Sequence, residues 1–216
     1  MSLTSKSRPS YAASSLLFPI VLWGCTTHAE NLTIGATPNQ PCKQFLQNLD
    51  DKNLRTTNFD IEKDYLLTKS TISKVYLSIK PIGSTCPPGE INPVNPKDII
   101  STQENAPSYM DVAAGRTLSG VNWIQFIYPS IIDGLPGLSS SLVFYDQDGN
   151  PSQTKFVTSY HSWETSISIR SSVKDGVISY CEQNIDPFEY NETGDIVREL
   201  STPVRSNCRV WTDVFP

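Results

Sequence analysis

Few residue types in this 216-residue chain could do chemistry: five cysteines, two histidines and 22 acids. His161, in "SYHSWE", is the histidine clear of the N-terminal region. As a general base it needs a nucleophile beside it and an acid to orient it. The serine run "GLSSS" at Gly137 comes closest to a nucleophile elbow and lacks the closing glycine. His161 therefore reads as a polar strand residue, facing water or hydrogen-bonded at an edge. Glu164, Asp186, Glu189 and Glu192 could pair for glycoside cleavage, which needs two carboxyls at a set separation. Acids in hairpin turns and on solvent faces are the commoner case. "DQDGN" opens like a calcium loop with Asp146, Asp148 and Asn150, but its sixth and twelfth positions are Pro151 and Val157. Asp-Gly and Gly-Asn pairs suit a tight turn instead.

The cysteines carry the clearest signal. Cys42, Cys86, Cys181 and Cys208 contain no C-x-x-C pair and suit a two-disulfide framework in an oxidising compartment. Of the three connectivities, nearest-neighbour pairing (Cys42 with Cys86, Cys181 with Cys208) is the favoured one. Zinc is a poor fit, because the spacings are wide and only His161 could join them. No catalytic residue, metal or cofactor is expected.

These residues need elements to hold them. Phe45, Leu46, Leu49 and Leu54 lie close to helical spacing, so one short helix is expected within 43–54. "KVYLSIKPI" alternates Val75, Leu77 and Ile79 with polar or aromatic neighbours and reads as a strand ended by Pro81. Residues 84–120 hold "CPPGEINPVNP" and few consecutive apolar residues, and read as a long Pro-rich loop. Most aromatics are expected in the core, but Tyr109 beside Met110 in this loop makes a candidate binding pair. From "VNWIQFIY" onward, β-branched and aromatic runs alternate with turns at Gly149, Gly176 and Gly194. The fold class is mainly β: an antiparallel, sandwich-like meander with one short N-terminal helix. "FYDQDGN" and "EYNETGD" align at an offset of 45 residues, an echo better explained by shared turn chemistry than by a blade repeat.

The N-terminal residues read as a targeting segment. Lys6 and Arg8 precede a short apolar run, Leu16 to Trp23, far below the ~20 residues that span a bilayer. "LWGC", residues Leu22 to Cys25, resembles the lipobox of bacterial lipoproteins, with Trp23 where a small or aliphatic residue is usual. The resemblance implies cleavage after residue 24, lipidation of Cys25 and, with Thr26 following, delivery to the outer membrane. Cleavage after Ala29, at "THA", is the ordinary secretory alternative. Residues 25–41 then form a tether, and 42–216 a single domain. "NLT" at Asn31 and "NET" at Asn191 match glycosylation acceptors, the main feature favouring a eukaryotic origin.

Charge narrows the partners. The chain carries 17 bases against 22 acids, a net charge of -5, and losing Lys6 and Arg8 makes the body more acidic. Nucleic acid, which needs a basic stripe, is excluded as an expected partner. The expectation is an exported, lipid-anchored envelope protein that binds another protein without catalysis. Its specific form is an immunity-type inhibitor of a basic secreted toxin, touching the membrane only through its lipid. The alternatives are a secreted hydrolase using carboxylates or His161, and an accessory lipoprotein of an envelope assembly.

Overall fold

The computed structural model describes residues 39–55, 57–67, 71–100 and 105–216. Cys25, the signal segment and Asn31 lie outside the described residues.

The protein is mainly β. Its elements are α1 (Gln40–Gln47), β1 (Asn58–Phe59), α2 (Ile61–Asp64), α3 (Ile72–Ser78), β2 (Met110–Arg116), β3 (Asn122–Ile132), β4 (Leu135–Tyr145), β5 (Pro151–Ser162), β6 (Ser166–Lys174), β7 (Val177–Tyr190), β8 (Ile196–Arg205) and β9 (Arg209–Val214). Strands β2 to β8 follow one another across a single antiparallel sheet, with β1 added to β6 and β9 to β7. Hairpin turns explain the meander. Asp175 and Gly176 both take positive φ between β6 and β7, as a primed turn requires. The two turns spaced 45 residues apart share one design: Asp146 Oδ1 accepts from the Asp148 and Asn150 amides, and Asn191 Oδ1 from those of Thr193 and Asp195. Their sequence echo is that local turn chemistry.

The sheet curls because two neighbours separate. β5 pairs with β6 only from Ser159 to Ser162, and beyond that β1 takes its place beside Ser171 and Ser172. A bulge at Val157 in β5 marks the parting, where Ser140 faces Thr158 and Ser141 faces Phe156. Side chains satisfy the backbone groups freed there. Thr158 Oγ1 donates to the Ile169 carbonyl and accepts from the Ile61 amide, and Ser171 Oγ donates to the Val157 carbonyl. One apolar cluster, including Trp123, Phe144, Ile169 and Ile178, fills the curl. A second packs α2 and α3 onto Ile127, Leu138 and Tyr160, and a third packs α1 and Ile91 onto Ile124, Phe126 and Val143.

Several expectations change here. Among the described residues three short α-helices stand where one was expected, and the expected helix runs over Gln40–Gln47. Asn39 caps it by accepting from the Cys42 amide, and Pro41 lies in its first turn. "KVYLSIK" is not a strand but most of α3. Val75, Tyr76 and Ile79 are buried and Leu77 is 40% exposed, so the spacing that matters is three and four, not two. The Pro-rich segment 84–120 is not loop throughout: it contains a 3-10 turn at Pro96–Asp98 and the whole of β2.

The two ends of the sheet differ. β2 is covered along its outer side: Lys52 donates to the Arg116 carbonyl, Arg116 to that of Asp50, and Ile82 to that of Asp111. At the other end, β8 and β9 run consecutively along the same side of β7, with every residue but Leu200 exposed. Between Ile185–Arg205 and Glu182–Arg209, three residues of this edge (206–208) face two of β7, an offset of one.

Candidate interaction surface

Both disulfides are present. Cys42–Cys86 ties α1 to the Pro-rich segment across 44 residues, and Cys181–Cys208 ties β7 to the junction of β8 and β9 across 27. They fit an oxidising compartment. No helix among the described residues is long and apolar enough to cross a membrane.

His161 neither faces water nor sits at an edge. It is fully buried in β5, and its Nε2 lies 2.8 Å from Ser130 Oγ, which lies 2.7 Å from Ser139 Oγ. Its Nδ1 meets no partner among the described residues, so no acid orients the ring. Burial pushes its pKa down to about 4, which keeps the imidazole neutral. Gly137 lies opposite His161, and a Cβ there would come 2.2 Å from the Tyr160 carbonyl and 2.5 Å from the imidazole. The group packs across strands β3, β4 and β5, with His161 fully buried and Ser130 and Ser139 nearly so.

The four candidate acids separate into different roles. Glu189 pairs with Arg198 across the β7–β8 ladder, and Glu192 sits exposed in the turn beyond. Asp186 accepts from the Tyr190 hydroxyl at 3.3 Å. Partial desolvation, then Asp186, then the nearby Glu164 raise the pKa of that hydroxyl. Glu164 and Asp186 thus share one neighbourhood at the tip of the sheet, beside an aromatic ring. Trp163, 75% exposed, precedes Glu164 in the β5–β6 turn.

Tyr109 and Met110 also part company. Tyr109 is 39% exposed and sets its ring against Phe126 in a T-shaped contact at 5.7 Å. Met110 begins β2, points into the second cluster and is buried, so it offers no surface to a partner. Alternation along β2 sends the two neighbours to opposite faces.

The β8–β9 edge escaped notice in the sequence. Ile196, Val197, Val204, Val210 and Val214 are all exposed there, Val214 at 73%. Trp211 stacks on Tyr180 at 5.0 Å, and Tyr180 on Phe156 at 5.9 Å, so an aromatic column runs from the interior to this edge. Two side-chain clasps hold the edge to the body. Arg205 makes a two-pronged ion pair with the buried Glu62 of α2, and Lys155 pairs with Asp213 at 2.6 Å. Pro203 was the available signal, since a proline inside a strand marks an edge. Comparison with protein-family models, curated proteins and solved structures finds no match for this chain.

Proposed function

We propose that this is an exported protein-binding module, without catalytic activity, that engages its partner along the β8–β9 edge. The observation that carries the reading is an edge of two consecutive strands, exposed on both faces, bearing five exposed aliphatic side chains. Free backbone groups on such an edge recruit another strand, and the charges, Pro203 and bulges along this one restrict which strand can pair there. An added strand would gain main-chain hydrogen bonds from the edge and side-chain contacts from the valines. The tip beside it carries Trp163, Tyr190, Glu164 and Asp186, which favours a partner with basic and apolar groups.

In the specific form of this reading, the module is a lipoprotein of the outer membrane, held through Cys25 and facing the periplasm. There it acts as an immunity-type inhibitor of a basic secreted toxin. The acidic chain, the lipobox-like "LWGC" and the disulfides support that form. Binding to purified toxins encoded beside the gene tests it. A stable complex that is lost in the Val197→Lys, Val204→Lys double variant is expected. Absence of any complex with cell-wall or membrane-attacking effectors refutes it. Labelling by a palmitate analogue, abolished by Cys25→Ala, tests the anchor separately.

A further inference from the structure

Far along the sheet from that edge, a cleft of about 330 Å3 opens between β2 and the segment that follows Ile82. Its lining includes Asp111, Ser84, Tyr109 and Phe126, with the Cys42–Cys86 disulfide at one side. Asp111 is only 7% exposed, and none of the ion pairs among the described residues includes it. One of its oxygens accepts from the Ser84 amide, and no described group donates to the other. Ser84 Oγ is itself buried without a partner. A bulge between Asp111 and Ala113 interrupts the β2–β3 ladder at this point and sets the direction of the carboxylate.

A buried carboxylate without a counter-charge is costly, and the natural remedy is a cation that also hydrogen-bonds. Two aromatic rings in the same cleft favour a flat, weakly hydrated cation over a compact ammonium. We propose that this cleft is a guanidinium site. The guanidinium donates to the free Asp111 oxygen, with one face against the Tyr109 ring. The group could belong to free arginine-like molecules or to an arginine side chain of a protein. The site lies on a different strand from the β8–β9 edge and stands without the binding role proposed there.

The test is an NMR titration of the isotopically labelled protein, following the Ser84 and Asp111 amides. Three probes are added separately: free arginine, a capped Gly-Arg-Gly peptide and the matching Gly-Lys-Gly peptide. Saturable shifts with an arginine probe are expected, and weaker binding of the lysine peptide. Similar affinities for free arginine and peptide identify a small-molecule site, and binding of the peptide alone identifies a protein side chain. Asp111→Asn should weaken binding about tenfold or more, as the loss of a charged hydrogen bond predicts. Tyr109→Ala should weaken it about threefold, through the lost ring face. Should Asp111→Asn fail to fold, Tyr109→Ala decides, because that ring is partly on the surface. No saturable response in the parent protein, equal binding of the lysine peptide, or unchanged affinity in a folded variant overturns the assignment.

Discussion

The two outer edges of this one sheet are treated in opposite ways. β2 is bonded on its free side by residues 50–52 and by Ile82, and the Cys42–Cys86 disulfide holds α1 to the segment that follows. β8 and β9 have β7 on one side and solvent on the other, with side-chain clasps in place of a covering segment. Both ends belong to one ladder, so the contrast is not one of sheet quality. It separates an edge whose backbone groups are already used from an edge whose groups remain for use. Stability should therefore concentrate near β2 to β5, and recognition near β8 and β9.

Breaking the covered end should cost most. Phe126→Ala removes a ring from the third cluster and should destabilise the protein by about 3–5 kcal/mol, measurable by denaturant unfolding. Replacing Cys42 and Cys86 by serine should cost about 2–4 kcal/mol and lower the melting temperature well below the parent's. The same scan under reductant should fall at least as far; an unchanged melting temperature would show that the disulfides do not hold this fold.

Acid sharpens where the stable half ends. His161 titrates near 6.5 in the unfolded chain and near 4 when buried, so the unfolded state binds the proton first. Its contribution is whole above pH 6.5 and is lost as pH falls toward 4, by about 3 kcal/mol in all. His161→Gln should flatten the fall in melting temperature over that window. A parallel slope in both proteins would place the acid sensitivity elsewhere.

Effects at the open end should be smaller and local. Arg205→Ala leaves Glu62 buried without its partner and should cost roughly 1–3 kcal/mol, with faster amide exchange confined to β8. Val197→Lys with Val204→Lys should change stability by less than about 0.5 kcal/mol per site while abolishing partner binding. A large loss of stability in that variant would mean that these side chains pack against something in the free protein.

What was legible in the sequence was local. Turn glycines, the β-branched and aromatic runs from Val121 onward and the four cysteines without a C-x-x-C pair are all read along the chain, and they yield the mainly β fold and its disulfide content. α3 was misread because two periodicities overlap in "ISKVYLSIK": Val75 and Ile79 satisfy both, and only the burial of Tyr76 and exposure of Leu77 decide. β2 is hidden by its own composition, since Val112 is the single β-branched residue in "DVAAG" and no aromatic accompanies it. It forms because β3 supplies a template. The site residues fared less well for a similar reason. Asp111, Ser84 and the Arg205–Glu62 pair acquire meaning only from contacts many residues apart, and His161 only from the strands that bury it.

The single extra residue at 206–208 has a consequence for recognition. Edge strands can slide along their neighbours, and a slip of one residue exchanges the two faces. Here a slip in either direction would pull Cys208 from Cys181 and carry Arg205 away from Glu62 together. The offset therefore works as a key in a lock, fixing which side chains of the edge face outward and in what phase. On the proposed role of this edge, an added strand would have to match a register that the disulfide and the ion pair hold fixed, with its breaks inside β8 and at 206–208.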